Sequence, residues 1–325
     1  MHCLKCPNTD LPRDTQTCPH CGALISLLSR DMLPKGTMLQ GGRYRIDFPM
    51  RGRGGFGITY HACHFRLEQV VVIKEFYPLQ DPPTPRDEDY NVVVSATERA
   101  SYKKAIDRFL REARILVTLQ TDNVVRVYDC FEENNTAYIV MEKIDGRTLR
   151  DLLKERPEGH FTPEEVESII DQMVNALEAI HFKGVFHLDI SPDNVMQTKS
   201  GKIVLIDFGA ARHSMRTNGS GGGGPQFKPD YAPIEVMAGT SVGPQSDLFE
   251  LAMMAHELLT GNVPPSYAQR EATGDEWQPQ LADERWRKAL ARALQLKQNK
   301  RPSSVREWWN RYRHPGITFG DRREE

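Results

Sequence analysis

Three stretches in the first half of the chain have hydrophobic and polar patterns typical of β-strands, and together they predict a small sheet. The stretch "YRIDFPMRGRGGFGITYHACHF" is predicted to hold a strand, a glycine turn and a second strand, and "QVVVIKEFYP" a third strand. The later stretch "VVRVYDCFEENNTAYIVMEKI" is predicted to form a hairpin with an Asn-Asn turn. Between them, Ala105, Phe109, Ala113 and Leu116 have the spacing of one helical face, which predicts a helix over residues 102–119.

Helical patterns dominate from "GRTLRDLL" onward. In "TPEEVESIIDQMVNALEAIHFKG", Thr162 followed by Pro163 and by Glu165 is a predicted helix start with a capping box. The chain is therefore predicted to be an α+β protein with a mostly β part followed by a mostly α part.

Composition narrows the class of protein without naming a function. The chain has 325 residues, of which 39% are hydrophobic and 26% charged, so we expect a folded protein with room for two lobes and a small appendage. A net charge of -2 gives no general attraction to nucleic acid or to an anionic membrane. No apolar run is long enough to span a bilayer and the start has no apolar signal core, so we expect a cytoplasmic protein without a membrane segment.

The cysteines are distributed unevenly along the chain. Four of them form two CxxC pairs: Cys3, Cys6, Cys18 and Cys21. Pairs at this spacing predict a zinc ribbon, in which four thiolates hold one structural ion for a module too small to bury a core. Cys63 and Cys130 lie alone; "HACH" around Cys63 contains ligand-type residues, but in a strand its alternate side chains face opposite ways, so we expect packing there.

Two later stretches carry the residue types needed for phosphoryl transfer. In "HLDISPDN", Asp189 can accept or orient a hydroxyl proton, while Asn194 and, in "LIDFGAAR", Asp207 can supply oxygen ligands to magnesium. These stretches resemble the catalytic loop and the DFG segment of protein kinases, in particular bacterial Hanks-type serine/threonine kinases. The resemblance implies ATP and Mg²⁺ as cofactors and a bilobal kinase fold.

The same resemblance extends to the predicted sheet. Gly52, Gly54 and Gly57 in "GRGGFG" match a loop that covers phosphates, although a flexible hairpin turn explains the glycines equally well. Lys74 at the end of "VVVIK" matches the lysine that contacts the α and β phosphates, and Glu112 on the predicted helix is the candidate for its ion pair. A surface glutamate paired with a neighbouring arginine is the alternative for Glu112. Between Lys74 and Glu112 the chain carries an inserted hairpin, "DYNVVVS", which resembles that of some bacterial members.

The resemblance also implies a set of residues around the adenine. Met141 is at the gatekeeper position, and the backbone groups of Glu142 and Ile144 would pair with the base. Val72 and Met196 would lie on its two faces. Ordinary core packing is compatible with the same positions.

Two basic residues usual in the kinase loop HRDLKPxN are missing. Leu188 occupies the position of the arginine that receives an activation-loop phosphate, which implies weak dependence on phosphorylation of that loop. Ser191 occupies the position of the lysine that meets the γ-phosphate. Lys228 in "FKPDYAPIE" occupies the position of its partner threonine, so the resemblance implies that the hydroxyl and the ammonium have exchanged positions. The alternative is that two unrelated losses have left a weak or inactive enzyme.

Later landmarks also match in order. By resemblance, Glu235 of "YAPIE" and Arg301 of "KRPS" form a buried ion pair, and Asp247 of "SDLFELA" braces the catalytic loop. We therefore divide the chain into a zinc ribbon (residues 1–24), a linker (25–38), a protein kinase domain (39–315) and a tail (316–325).

The sequence thus predicts ATP- and Mg²⁺-dependent phosphoryl transfer to serine or threonine of protein substrates, with the ribbon as a candidate protein-interaction module. Two alternatives remain: a pseudokinase scaffold that binds nucleotide without transfer, and a small-molecule phosphotransferase of kinase-like fold. The "DFG" and "YAPIE" segments argue against the second, because the latter shapes a shelf for peptides.

Overall fold

The computed structural model describes residues 15–22, 24, 31–50, 57–77, 85–119, 121–208, 212–213, 228–274 and 277–314. These residues fall into two units. The sheet unit contains the described residues up to Thr118 and those from Arg126 to Lys143, and the helical unit contains Leu119–Val125 and the described residues from Ile144 onward.

The sheet unit is one antiparallel sheet with a helix packed on it. Its elements are β1 (Met38–Leu39), β2 (Tyr44–Pro49), β3 (Ile58–His64), β4 (Gln69–Glu75), α1 (Arg99–Val117), β5 (Val127–Glu133) and β6 (Thr136–Glu142). The strand order is β1-β2-β3-β4-β6-β5. Asn134 and Asn135 both have positive φ between β5 and β6, so the predicted Asn-Asn hairpin is confirmed. The predicted helix is present as α1, which packs against β5 and β6.

The alternating pattern of β3 explains the "HACH" stretch. Tyr60 and Ala62 are buried, whereas His61 and Cys63 between and beside them are only half-buried. His61 contacts Asp47 of β2 through Nδ1 at 3.1 Å. Among the residues that the structure describes, no cluster of three or more metal-ligating side chains occurs.

A buried cluster of charged and tyrosine side chains lies at the end of β4, next to Lys74. Glu75, the last residue of β4, has no exposed surface and accepts hydrogen bonds from the hydroxyls of Tyr60 at 2.9 Å and Tyr138 at 3.0 Å. Arg86, from the inserted hairpin, donates to the same carboxylate at 2.7 Å. Burial raises the pKa of Glu75, and the charge of Arg86 opposes that rise. The insertion is therefore fastened to the sheet by an ion pair inside the unit.

The segment before β1 is part of the same cluster. Asp31, Met32 and Leu33 are buried, although the sequence assigned them to a linker. The Leu33 N–H donates to the Tyr60 hydroxyl at 3.0 Å, and Arg86 Nε donates to the Asp31 carbonyl at 2.7 Å. Residues 31–33 thus pack as part of the sheet unit.

The helical unit contains short strands and most of the helices. Its strands are β7 (Gly146–Thr148), β8 (Val185–Phe186), β9 (Val195–Thr198), β10 (Ile203–Leu205) and β11 (Arg212–His213). Its helices are α2 (Leu149–Glu155), α3 (Pro163–Phe182), α4 (Ile234–Met237), α5 (Pro244–Thr260), α6 (Tyr267–Ala272), α7 (Glu284–Ala293) and α8 (Val305–Arg313), with 3₁₀ turns at Pro192–Asn194 and Gln298–Lys300. The predicted capping box of α3 is present, since Thr162 and Glu165 exchange side-chain to backbone hydrogen bonds.

Helix α5 is the centre of this unit and is buried over nearly its whole length. Strands β9 and β10 form an antiparallel sheet with β7, and β8 pairs with β11. The loop between β8 and β9 carries Asp189, and the residues after β10 carry Asp207. Among the described helices, none combines the length and apolar character needed to cross a membrane.

Candidate active site

The backbone of the catalytic loop is fixed from helix α5. Asp247 is fully buried and accepts hydrogen bonds from the N–H groups of His187 at 3.0 Å and Leu188 at 2.8 Å. His181 of α3 contacts the same carboxylate through Nε2 at 2.7 Å. The bracing role predicted for Asp247 is confirmed.

His187 supports the loop rather than facing solvent. Its side chain is buried, its Nε2 lies 3.1 Å from the Ile206 carbonyl, and its ring packs edge-on against Phe208. A second hydrogen bond joins the same segments, from the Ile206 N–H to the Asn194 carbonyl at 2.9 Å. The catalytic loop and the residues around Asp207 are therefore tied together.

Leu188, at the position of the usual arginine, has a strained backbone and lies in an apolar environment. Its φ is +60°, a left-handed conformation that costs a leucine about 1–3 kcal/mol and persists only where the surrounding structure imposes it. Its side chain is buried in a cluster with Phe186, Ala232 and Val236. The loop is thus joined to the "YAPIE" segment by packing, at the position where the kinase pattern that it resembles has an arginine.

Asp189 is oriented by its partner in the loop. Asn194, in the 3₁₀ turn, donates through Nδ2 to the Asp189 carbonyl at 2.8 Å and to its carboxylate at 2.6 Å. Both side chains are buried, with Asp189 only 3% exposed. A carboxylate held in one orientation is what a positioned proton acceptor requires.

The structure brings Ser191 and Lys228 together. Lys228 Nζ lies 2.6 Å from Ser191 Oγ and 2.8 Å from Asp193 Oδ2. One hydroxyl and one ammonium are therefore adjacent, as the exchange hypothesis requires. Whether they act on a phosphate stays a prediction.

Sequence reasoning missed Asp193, which pairs with this lysine, and Arg150, which pairs with Asp193. Arg150 of α2 donates to Asp193 at 3.3 Å, pairs with Glu257 of α5, and donates to the Tyr231 hydroxyl at 2.9 Å. Burial tends to raise the pKa of Asp193, but the hydrogen bond and charge of Lys228 and the charge of Arg150 outweigh it and lower that pKa. Asp193 therefore stays ionised and fixes the ammonium. Asp193 lies within the "HLDISPDN" stretch, so its place in that loop was the sequence signal that could have identified it.

The oxygen donors predicted for magnesium suit that ion. Asn194 supplies an amide oxygen and Asp207 a carboxylate, both hard ligands of the kind Mg²⁺ prefers. Asp207 follows β10 with a φ of +64°, a left-handed conformation that turns the chain directly after the strand. Because Asn194 directs its amide nitrogen to Asp189, its oxygen is the end of the group suited to a cation.

In the sheet unit, two charged residues of the prediction are buried. Lys74 is 5% exposed in β4, between Thr59 of β3 and Ile139 of β6, and Glu112 is 6% exposed on α1. Glu112 therefore does not fit the alternative of a surface glutamate. Their mutual ion pair stays a prediction.

The residues predicted to surround adenine lie in both units. Val72 and Met141 are direct neighbours across β4 and β6. The Glu142 N–H donates to the Arg126 carbonyl at 2.9 Å. In the helical unit, Ile144 and Met196 are half-buried, and Met196 lies on β9. Their contact with a base stays a prediction.

One of the three glycines has a structural reason to be glycine. Gly57 has φ +117°, and a Cβ there would lie 2.0 Å from the Glu75 carbonyl oxygen. No other residue fits without moving β3 from β4. Gly52 and Gly54 lie outside the described residues.

The predicted zinc ligands are described only in part. The Cys18 side chain is buried and Cys21 is half-buried, in a turn where the Gly22 N–H donates to the Cys18 carbonyl at 2.9 Å. Thr17 and Leu24 pair on either side of that turn. Cys3 and Cys6 lie outside the described residues.

Comparisons with known proteins assign the family. A model of the protein kinase domain family matches residues 49–308. Serine/threonine-protein kinase PknA of Nostoc sp. is 33% identical over 243 residues, covering 72% of this chain and 40% of that protein. The probable serine/threonine-protein kinase PknB of Bifidobacterium longum is 30% identical over 242 residues, covering 70% of this chain and 31% of that protein. The chain thus spans less than half the length of these curated relatives.

Solved structures agree with this assignment. PpkA-294 in its apo form matches with a TM-score of 0.71 and 30% identity, over 86% of this chain and 98% of that one. The PknI kinase domain of Mycobacterium tuberculosis, at 24% identity and a TM-score of 0.63 over 88% of this chain and all of that one, shares the fold. The chain belongs to the protein kinase family, and its domain is of the bacterial serine/threonine type.

Proposed function

We propose that this protein transfers the γ-phosphoryl group of ATP to serine or threonine hydroxyls of protein substrates. The observation that carries the proposal is the loop at Asp189: a buried carboxylate oriented by Asn194, on a backbone fixed by Asp247. Such a loop holds a proton acceptor in one place, which is the main requirement where catalysis consists of positioning and charge neutralisation.

In this proposal Asp189 orients the acceptor hydroxyl and accepts its proton. Asn194 and Asp207 would hold Mg²⁺, which when bound neutralises charge on the phosphates. Lys74, fixed by Glu112, holds the α and β phosphates. The glycines Gly52, Gly54 and Gly57 allow backbone close to them.

Lys228 takes the role of the missing loop lysine. Its ammonium is held by Asp193 and contacts Ser191, so it meets the γ-phosphate with little loss of conformational freedom. The pair Ser191 and Lys228 then supplies one hydroxyl and one cation, the same groups as in other family members with their positions exchanged. The adenine lies against Val72, Met141 and Met196, with Glu142 and Ile144 pairing through their backbones.

The N-terminal part of the proposal is a zinc ribbon with ligands Cys3, Cys6, Cys18 and Cys21. The turn at Cys18–Gly22, flanked by the Thr17–Leu24 pair, is the local shape that a CxxC knuckle needs. We propose that the ribbon contacts partner proteins. A cytoplasmic location stays a prediction.

Incubation with γ-labelled ATP, with and without a generic protein acceptor, separates this function from its rivals. We expect label on the acceptor, and none with Asp189→Ala. Nucleotide binding without any transfer would indicate a pseudokinase scaffold, and transfer confined to small molecules would indicate a kinase-like phosphotransferase.

A further inference from the structure

A second buried carboxyl group of helix α5 holds the catalytic loop. Glu250, one turn after Asp247, is 1% exposed. Its Oε2 accepts a hydrogen bond from the Ile190 N–H at 2.8 Å. Ile190 directly follows Asp189, so this contact acts on the peptide next to the proposed proton acceptor.

The loop is thereby held on both sides of Asp189. Asp247 binds the N–H groups of His187 and Leu188 before it, and Glu250 binds that of Ile190 after it. All three hydrogen bonds reach one rigid, buried helix. Without Glu250, the backbone beyond Asp189 loses its attachment to α5.

The surroundings of Glu250 are acidic. Burial raises its pKa well above the ordinary value, and the nearby charges of Asp247 on its own helix, Asp189 on the loop and Glu235 on α4 add to that rise. Asp247 and Glu235 have cationic or ionisable partners of their own, His181 and Arg301. The protonated form of Glu250 is thus favoured by its surroundings, and its hydrogen bond to the Ile190 N–H is a contact that either an acid or an amide oxygen can make.

We propose that Glu250 is a positioning residue for phosphoryl transfer, which fixes the backbone of Asp189 through the Ile190 N–H. The proposal rests on the proposed function, because it takes Asp189 as the group that orients the acceptor. Because the Ile190 N–H is a backbone donor that any acceptor of suitable length can satisfy, the amide oxygen of a glutamine should replace the acid.

Three variants test this inference in the full chain. Glu250→Gln keeps an acceptor oxygen, and Glu250→Met keeps the volume but removes the acceptor. Leu258→Ala, at a fully buried position eight residues further along α5, is the control for lost packing that does not touch the loop. Circular dichroism and thermal unfolding identify the folded variants, and kcat and the KM for ATP are measured at pH 7 with a generic protein acceptor.

We expect Glu250→Met to lower kcat by about thirtyfold to a hundredfold, the scale of a displacement of about 1 Å in a reacting group. The KM for ATP should change by no more than about twofold, because ground-state binding of the nucleotide does not need the position of Asp189. Glu250→Gln should retain at least a third of the parental kcat, and Leu258→Ala should match the parent. Hydrogen exchange at the Ile190 amide should be faster in the Met variant alone.

A folded Glu250→Met variant with parental kcat overturns the inference, and so does a Gln variant that loses as much as Met. If Glu250→Met fails to fold, the Gln variant and its Ile190 exchange rate decide: slow exchange with retained turnover supports the inference, and fast exchange with retained turnover overturns it. If the parent protein transfers no phosphate, the proposed function and this role of Glu250 are both wrong. If the parent is active and Glu250→Met does not change kcat, only this role of Glu250 is wrong.

Discussion

The ion pair between Glu75 and Arg86 gives a prediction about stability. Arg86→Met keeps most of the side-chain volume but removes the cation. The Glu75 carboxylate has no exposed surface, and the Arg86 side chain is only 6% exposed. Breaking a buried pair by removing one partner typically costs about 3–5 kcal/mol, because the remaining charge is left uncompensated. The two tyrosine hydroxyls that also bind Glu75 remain in place, so we expect the lower end, about 3 kcal/mol.

Protonation of Glu75 sets the pH dependence of this loss. Burial already places its folded-state pKa above the ordinary 4.5. Between 4.5 and the raised pKa the folded state binds more protons than the unfolded state, so stability falls as pH rises through that window. Removing Arg86 raises the pKa further and widens the window upward. The loss should therefore be larger at pH 8 than at pH 5.5.

Thermal unfolding of parent and variant at both pH values measures the effect. At about 2–4 °C per kcal/mol, we expect Tm to fall by about 6–12 °C at pH 8. Arg43→Met is the matched control, because Arg43 pairs with Asp129 at 3.2 Å while 52% exposed, and its loss should not shift Tm measurably. An unchanged Tm for Arg86→Met, or a larger loss at pH 5.5, would refute the reasoning.

Two further predictions concern the N-terminal module and the control of activity by loop phosphorylation. The purified chain should hold one zinc ion through its two CxxC pairs, and metal analysis without zinc would count against this. Kinase activity should largely survive removal of residues 1–24, since the truncated chain keeps the contact of Asp31 with Arg86 in the sheet unit; an inactive truncated protein that is still folded would contradict this prediction. The triple variant with alanine at Ser214, Thr217 and Ser220, which all lie outside the described residues, should keep most of the activity. Leu188 is packed among apolar side chains and cannot bind a phosphate. A collapse of activity in a folded triple variant would show that loop phosphorylation controls the enzyme.

Local patterns predicted the elements of this fold well. Thr162 and Glu165 identified a helix start, and two asparagines identified a hairpin turn, because such signals depend on residues close together in the chain. Resemblance to protein kinases predicted the pair of Glu235 and Arg301, which the structure shows at 2.5 Å.

The missed interactions have a common physical character. Arg150 meets Glu257, and Ile190 meets Glu250, across 107 and 60 positions of the chain. Neither hydrophobic periodicity nor spacing encodes which charged side chains converge in three dimensions. Glu250 also lies in a buried stretch of α5, where a polar residue read alone does not reveal its partner. Such pairings become visible only when helices and loops are placed together.

The turnover of Lys228→Ala tests the central claim most directly. With its ammonium 2.6 Å from Ser191 Oγ, Lys228 should supply the charge that the loop lacks, so its loss should lower kcat about a hundredfold, the scale of one preorganised contact to the transition state. ATP binding should change little, and Lys199→Ala, at a lysine whose side chain is 88% exposed, should match the parent. The double variant Ser191→Lys with Lys228→Thr should recover much of what either single change loses, since neighbours that act on one phosphate are coupled. A Lys228→Ala protein as active as the parent would contradict the account.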